Sequence, residues 1–262
     1  TTDVAAHDQI QSAVDAIGAP TLVGAVVTDP ADPTRVRNVG IVWGPTGSAD
    51  AGMGQYYVKE HPVPFGEWIP ARALLTRFIA RFELVPRDFV AGESTGVLAL
   101  GPARIGDLIC FEVAYDSLAR DAVTGDGVSG ELAGLGGRIL VVQTNNATYG
   151  RTGQPEQQLA MSQLRAVEHG RAVLVAATSG ISAVIAPDGH VVQRIDEFEP
   201  GTIVTSVPLR DSLTIADRVG AWPEVAAMLA GLLALVIALR TRPRRREDIP
   251  SSETTPMQET AL

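Results

Sequence analysis

Residues 97–110 have the sequence VLALGPARIGDLIC. Two apolar runs flank a Gly-Pro pair here, which predicts a β-hairpin whose second strand ends at Cys110. The later stretch RILVVQT, residues 138–144, is apolar almost throughout and predicts a strand buried on both faces of a sheet. A helix is predicted soon after it, over 156–169. Strands that alternate with helices, together with hairpins, predict a mixed α/β layered fold rather than a sandwich or a helical bundle.

The rest of the chain up to residue 220 continues this alternation. In the helix over 156–169, Leu159, Leu164 and Val167 are expected to face inward, and Gly170 is expected to end the helix. The remaining elements are a short helix ending at Ile17, strands at 21–27, 36–43, 172–178 and 202–209, and a hairpin at 182–194 around the turn Pro187-Asp188-Gly189.

The composition excludes several classes of protein. The chain has 262 residues, 45% of them hydrophobic and 19% charged, so it can bury a substantial core in one large domain or two small ones. Its net charge of −9, without a basic face in the body, argues against nucleic-acid binding. One cysteine excludes an internal disulfide framework, and the four histidines lack the spacing of metal ligands. We expect neither a metal nor another cofactor.

The only lysine of the chain lies in a loop motif. Residues 56–70 have the sequence YYVKEHPVPFGEWIP, in which Glu67 follows Lys59 and the prolines between them restrict the loop. All other basic residues are arginine, so Lys59 is a candidate for chemistry that a guanidinium cannot perform. A rigid loop that holds one ammonium and one carboxylate suits a site that places charge beside a nucleophile. The alternative is an ordinary surface lysine in a solvated loop.

Cys110 is the candidate nucleophile. It lies in the sequence GDLICFEVAYD, residues 106–116, at the end of a strand and directly before a predicted helix. The N-terminal amides of such a helix lower the pKa of a thiol, which would then be partly ionised near neutral pH. The alternative is an inert cysteine that packs in the core like a small hydrophobic side chain.

In combination, these motifs resemble those of the nitrilase superfamily. The matching residues are Lys59 with Glu67, Cys110-Phe111-Glu112, Thr144-Asn145-Asn146-Ala147 and Arg165-Ala166-x-Glu168. The PFGE loop, the stretch NNATYG and an apolar C-terminal run are similar to one branch, the apolipoprotein N-acyltransferases, in an actinobacterial-looking form, over about residues 5–240. The resemblance implies an α/β fold, a nitrilase-type α-β-β-α layered sandwich outside the membrane, followed here by one C-terminal transmembrane helix.

The resemblance also implies a reaction. Cys110 is expected to be the nucleophile of a Glu–Lys–Cys triad, Lys59 to stabilise the tetrahedral intermediate, and Glu67 and Glu112 to support the loops of the site. Phe111 stands where some members have a tyrosine. The reaction would move a fatty acyl chain from a membrane phospholipid, through a Cys110 thioester, to the N-terminal diacylglyceryl-cysteine amine of an apolipoprotein.

One feature departs from the family pattern. The general-base glutamate of the family lies upstream of the lysine in a W-P-E type motif, whereas the first glutamate here is Glu60. We therefore expect the chain to be a C-terminal fragment that begins after the base. The fragment is expected to be inactive alone, because loss of a general base costs about 10²- to 10⁴-fold in rate.

Residues 225–239, VAAMLAGLLALVIAL, form an unbroken apolar run behind Trp222 and Pro223. A helix from Trp222 to residue 239 spans roughly 27 Å, enough for a bilayer core. A cluster of five arginines follows, and the positive-inside rule places it in the cytoplasm and the body outside the plasma membrane. The expected divisions are a catalytic domain at 1–220, a transmembrane helix at 221–240 and a cytoplasmic tail at 241–262. The alternative is a buried core helix followed by a solvated charge run.

Two further features have two interpretations each. Residues 71–82, ARALLTRFIARF, carry an apolar helical stripe flanked by arginines, which fits an arm in the lipid interface as well as a helix on the domain core. Tyr149 in NNATYG is a candidate for contact with an acyl chain or headgroup, or else a packed loop aromatic.

Two other functions stay open beside the acyltransferase. One is a membrane-tethered nitrilase-type amidase that uses the same residues on a small soluble amide. The other is a membrane-anchored module without catalytic activity, which the missing base favours.

Overall fold

The computed structural model describes residues 3–48, 51–78 and 85–241. Contacts divide the chain into two compact units, Thr1–Gly220 and Ala221–Leu262. The helices are α1 (Val4–Ile17), α2 (Arg72–Leu75), α3 (Asp116–Thr124), α4 (Gln154–His169), α5 (Ile215–Val219) and α6 (Trp222–Thr241). All but α6 lie in the first unit, together with two β-sheets.

The first sheet has three antiparallel strands in the order β1 (Thr21–Thr28), β2 (Val36–Gly44) and β3 (Gly52–Val58). The second sheet has six strands in chain order: β4 (Val97–Leu100), β5 (Ala103–Ile109), β6 (Ile139–Thr144), β7 (Val173–Ala177), β8 (Ser182–Ile185) and β9 (Val191–Ile195). The pairs β4–β5 and β8–β9 are antiparallel hairpins, as predicted. The strands β5, β6 and β7 are parallel, so their carboxyl ends meet at one edge of the sheet.

Three groups of buried side chains hold four layers together. Val14 of α1 packs against Val39, Ile41 and Trp43 on one face of the first sheet. Tyr57 and Val42 of that sheet pack against the second sheet, and the far face of the second sheet is covered by α3 and α4. The order helix, sheet, sheet, helix confirms the predicted α-β-β-α layered fold.

The predicted inward face of α4 was wrong at two positions. Leu159 is buried, but Leu164 and Val167 are 58% and 54% exposed. The helix instead buries polar side chains, because it packs against the turn that follows β5 and supplies hydrogen bonds to it. The helical spacing of the apolar residues therefore did not identify the buried face of α4.

Two other predicted elements differ from the structure. Residues 202–209 form no strand; Val207 and Leu209 pack on the core of the sheets without joining either one. In the amphipathic stretch 71–82, the helix α2 has only four residues, and Leu74 and Phe78 are 56% and 78% exposed. The rest of that stretch, from residue 79, lies outside the described residues. Strand β3 was not predicted.

The helix α6 has 20 residues and a mean hydropathy of 2.0, and no part of this apolar span is buried. By length and composition it is able to cross a membrane. The interpretation as a buried core helix does not fit, since its large apolar side chains are exposed. Residues 242–262, with four of the five arginines of the cluster, lie outside the described residues.

Asp107 and Gln143 are polar side chains buried between the two sheets. They face Gly40 and Gly24, which are cross-strand partners on β2 and β1. A Cβ atom at Gly40 would lie 1.8 Å from Asp107 Oδ2, and one at Gly24 would lie 2.7 Å from Gln143 Oε1. The glycine pair therefore makes room for both side chains. Within the described residues, neither the Asp107 carboxyl nor the Gln143 amide has a hydrogen-bond partner.

Asp107 makes the stability of the domain depend on pH. Burial, reinforced by the charge of Glu112, raises the pKa of Asp107 well above its usual range. Its stabilising contribution is thus fully present below the pKa of an unfolded aspartate, about 3.9, and is lost as pH rises towards the folded pKa. Asp107→Asn, which is neutral in both states, is expected to raise the free energy of unfolding at pH 8.

This expectation is checked by urea unfolding at pH 5 and pH 8 in a non-ionic detergent. The gain from Asp107→Asn should be larger at pH 8 than at pH 5. The matched control is Asp188→Asn, at an exposed turn position, which should show no such difference. An equal effect of Asp107→Asn at both pH values would contradict a raised pKa of Asp107.

Candidate active site

Cys110 lies where the carboxyl ends of the parallel strands meet. It follows β5 directly, is half-buried, and starts a five-residue 3₁₀ turn, Cys110–Ala114. Its φ angle is +59°, a left-handed conformation that costs a non-glycine residue of order 1–3 kcal/mol. The α-helix expected directly after Cys110 begins only at Asp116, because Tyr115 has an extended backbone that separates it from the turn.

Lys59 follows β3 and is 1% exposed, so it is not the surface lysine of the alternative interpretation. Its Nζ donates to Glu67 Oε1 at 2.9 Å and to Oε2 at 2.7 Å. Glu67 also accepts from the Asn38 amide at 3.1 Å and from the backbone N–H of Val63 at 2.7 Å. The PFGE loop therefore folds back so that its carboxylate fixes the ammonium.

Glu112 connects the two motifs. It is fully buried, and its Oε1 accepts from the backbone N–H groups of Glu60 at 2.7 Å and His61 at 3.0 Å. Its Oε2 accepts from the N–H of Ile109 at 2.8 Å, and the Tyr57 hydroxyl lies 3.0 Å from both oxygens. Burial raises the pKa of Glu112, although these hydrogen bonds offset part of the effect. One carboxylate thus ties the loop after Lys59 to the residue before Cys110.

Aromatic side chains lie around this centre. Phe111 is 43% exposed and meets Tyr115 edge to face at 6.1 Å, and Tyr115 in turn contacts the His61 ring at 4.4 Å. Tyr149 lies close to the reactive groups. Burial raises the pKa of its phenol, and the charges of Cys110 and Glu67 raise it further. The 38% of Tyr149 that is exposed leaves it free to contact a substrate.

The structure links the residues that the sequence singled out through Glu67, which binds Lys59, and Glu112, which binds the backbone next to Lys59 and next to Cys110. Lys59 and Glu67 come from the first sheet and its following loop, and Cys110, Phe111 and Glu112 come from the end of β5. The sequence did not identify Asn38 and Tyr57. Tyr57 lies two residues before Lys59 on the same strand face, which was the available signal. In the described part of the chain, no cluster of three or more histidine, cysteine or acidic side chains is placed to hold a metal ion.

This arrangement suits acyl transfer chemistry. A half-buried thiol is held in a strained turn, and a buried ammonium is fixed by the carboxylate of a nearby loop. A thiol in this setting can attack a carbonyl carbon, and a fixed ammonium can stabilise the oxyanion that forms.

Comparisons with known proteins show what this chain is similar to. A model of the carbon–nitrogen hydrolase family matches residues 8–215. The apolipoprotein N-acyltransferase of Mycolicibacterium smegmatis is 38% identical over 238 residues, which cover 89% of this chain and 37% of that protein. The one of Azotobacter vinelandii is 34% identical over 211 residues, 78% of this chain and 37% of that protein. The chain therefore spans little more than a third of the length of these relatives.

Solved structures share the fold at low sequence identity. Nit3 of Saccharomyces cerevisiae, a member of branch 10 of the nitrilase superfamily, has a TM-score of 0.51 at 15% identity, covering 74% of this chain and 62% of that one. A cysteine-to-alanine mutant of the amidase from Nesterenkonia AN1 has a TM-score of 0.52 at 19% identity, covering 75% and 64%. At these identities the likeness shows the fold alone.

Proposed function

We propose, since this chain belongs to the carbon–nitrogen hydrolase family, that it is the catalytic region of an apolipoprotein N-acyltransferase. The names of the curated relatives support this activity. The observation that carries the proposal is the link through Glu112 between the strained Cys110 and the buried Lys59–Glu67 pair. The substrates would be a membrane phospholipid as acyl donor and the amine of a lipidated N-terminal cysteine as acceptor.

The proposed reaction has two steps. The Cys110 thiolate attacks the ester carbonyl of the phospholipid; a C–S bond forms, the ester C–O bond breaks, and a lysophospholipid leaves after taking up a proton. The acceptor amine then attacks the thioester, a C–N bond forms, and Cys110 is regained as the thiolate while the amine gives up a proton to a base. Lys59 would stabilise the oxyanion in both steps, which is the largest electrostatic contribution expected.

The proton acceptor of this proposal is neither Glu67 nor Glu112. Glu67 is engaged by Lys59, Asn38 and the Val63 backbone, and Glu112 by one hydroxyl and three backbone N–H groups. We therefore propose that the general base is a carboxylate other than these two. Without it, acylation of Cys110 is expected to be about 10²- to 10⁴-fold slower.

We further propose that α6 crosses the plasma membrane, with the arginine cluster on the cytoplasmic side and the catalytic domain on the other. The length and apolar character of α6 support the span, and the arginines support the orientation. A site held at the bilayer surface suits two substrates that remain in the membrane. The complete protein would be a multi-pass membrane enzyme.

Repeated turnover by the chain is not expected, but incubation with vesicles of phosphatidylethanolamine and phosphatidylglycerol is expected to produce a slow, single acyl adduct on Cys110. The adduct should form over hours, be seen by intact-mass measurement, and be removed by hydroxylamine, which cleaves thioesters. Cys110→Ala is the control and should remain unmodified.

The protein expressed from its complete gene should form the same adduct faster and pass the acyl chain to a lipopeptide amine. If it forms no hydroxylamine-labile adduct, the acyltransferase proposal fails. Hydrolysis of a small soluble amide by residues 1–220, without adduct formation from vesicles, would instead support the membrane-tethered amidase.

A further inference from the structure

The buried face of α4 is polar and points to the turn that carries Cys110. Gln158, Ser162, Arg165 and His169 lie along this face and are all buried. A helix that buries polar side chains loses stability unless each one finds a hydrogen-bond partner. Gln158 and Arg165 both donate to backbone carbonyls of the Cys110–Ala114 turn, and Arg165 also pairs with Asp116 and Glu168.

The two side chains bind opposite ends of this turn. The Gln158 amide Nε2 donates to the carbonyl of Cys110 at 3.0 Å. Arg165 donates from Nε to the carbonyl of Val113 at 2.9 Å, and from its second terminal nitrogen to that of Ala114 at 3.2 Å. The turn is therefore held at its first residue by one side chain of α4 and at its last residues by another.

The Gln158 amide is itself oriented by the loop after β6. Its Oε1 accepts from the Asn146 amide at 2.8 Å, and Asn146 Oδ1 accepts from the Thr144 hydroxyl at 2.7 Å. In this series of hydrogen bonds each donor meets an acceptor, so the Gln158 amide is fixed with its nitrogen towards Cys110. The three side chains are 7%, 3% and 9% exposed, which leaves little freedom to rotate. This accounts for Thr144 and Asn146 of the Thr144-Asn145-Asn146 motif, to which the proposed reaction assigns no role.

The backbone of Cys110 needs such support. A cysteine at φ +59° is strained, and a residue keeps such a conformation only where its surroundings hold it. The carbonyl of Cys110 is the group whose direction changes when its backbone relaxes, and Gln158 binds that carbonyl. The direction of the thiol and of the amides that follow it depends on the same dihedral angles.

We propose that Gln158 is a positioning residue that keeps the nucleophile in its left-handed, reactive conformation through the Cys110 carbonyl. The catalytic part of this inference rests on the proposed function; the conformational part does not. Gln158 is 7% exposed and its amide is engaged by Cys110 and Asn146, so its loss should lower the rate of acylation and leave substrate binding unchanged.

The first test uses p-nitrophenyl butyrate, an activated ester that acylates Cys110 and releases a coloured phenol. Gln158→Met fills the same space without an amide and is expected to slow acylation about ten- to hundredfold. The ester concentration that gives half the maximal rate should change less than twofold. The matched control is Gln157→Met, on the exposed side of the same helix, which should acylate like the wild type. Equal acylation rates for Gln158→Met and the wild type would overturn the proposal.

The second test does not depend on activity. Because Cys110 is the only cysteine, ¹³C,¹⁵N-cysteine labelling of the full chain in detergent gives one NMR signal, whose Cα and Cβ shifts report the backbone conformation. Gln158→Met is expected to move this signal towards ordinary negative-φ values, and Gln157→Met is not. An unmoved signal in Gln158→Met would show that Gln158 does not hold the turn, whether or not the chain proves to be an acyltransferase.

A third variant tests the same proposal without changing Gln158, in case the Gln158→Met protein does not fold. Gly180 packs on Asn146, and a Cβ at this position would lie 2.9 Å from Cγ and Oδ1 of the Asn146 side chain. Gly180→Ala should therefore displace Asn146 and release the Gln158 amide, with no contact to Cys110. We expect the same direction of change in rate and in the cysteine signal, and a wild-type result for both would count against the proposal.

Discussion

Replacing Lys59 with methionine is expected to slow the acylation of Cys110 about 10²- to 10³-fold, the usual cost of removing one oxyanion donor. Two protons of the Lys59 ammonium are directed at Glu67, with Nζ–O distances of 2.9 and 2.7 Å. An ammonium has three donors, and we propose that the third is directed at the oxyanion of the tetrahedral intermediate. Methionine has a similar length and fills the same buried space without a charge.

The size of this effect follows from burial. The Lys59 side chain is 1% exposed, so water screens its charge little, and a charge in such a place acts strongly on a developing oxyanion. Burying an ammonium is costly unless it is paired with an anion, and the PFGE loop places the Glu67 carboxylate against the Lys59 ammonium. A purely structural ion pair could be exchanged for apolar side chains without loss of rate.

The rate should be measured with p-nitrophenyl butyrate, alongside the free energy of unfolding. Removing one partner of a buried ion pair is expected to destabilise the domain by about 3–5 kcal/mol, so the unfolding measurement also shows whether the variant is folded. Lys59→Arg keeps a positive charge but not the point geometry of an ammonium and should recover only a small part of the rate. Wild-type acylation by a folded Lys59→Met would remove Lys59 from the mechanism.

Most of the fold could be predicted from the sequence because its strands are local patterns. The apolar run at 138–144 and the two hairpins stand out by composition and turn residues alone. The segment 202–209 has an equally strand-like composition but forms no strand, because pairing requires a free strand edge at the right place. Its Val207 and Leu209 are buried by packing on the sheets instead. The apolar composition of this segment therefore indicates that it is buried, but not whether a neighbouring strand pairs with it.

The residues proposed for the site stand out in the sequence, but the contacts between them do not. Cys110 and Lys59 stand out as the only members of their residue types. Glu112 joins them across the two sheets, and nothing in the spacing of the motifs shows that contact. The buried face of α4 was missed for a related reason. Gln158 and Arg165 are buried where they form hydrogen bonds, whereas the helical spacing of apolar residues detects only side chains that are buried for their hydrophobicity.

Replacing Glu112 with glutamine is expected to lower the free energy of unfolding by about 2–5 kcal/mol, a large fraction of the stability of a domain. The carboxylate accepts hydrogen bonds from three backbone N–H groups and one hydroxyl, all buried or half-buried. Glutamine keeps one acceptor oxygen but turns a donor NH₂ towards the remaining donors. Buried donors without an acceptor cost about 1–3 kcal/mol each.

The measurement is urea unfolding of both forms in the same detergent. Glu93→Gln, at an exposed position, is the matched control and should change stability by less than about 0.5 kcal/mol. Tyr57→Phe removes only the hydroxyl and should cost about 1 kcal/mol, which separates the tyrosine contact from the backbone contacts. Since Glu112 binds both the loop after Lys59 and the residue before Cys110, Glu112→Gln should also slow acylation more than Tyr57→Phe does. A Glu112→Gln protein as stable as Tyr57→Phe would mean that the carboxylate does not join the two halves of the site.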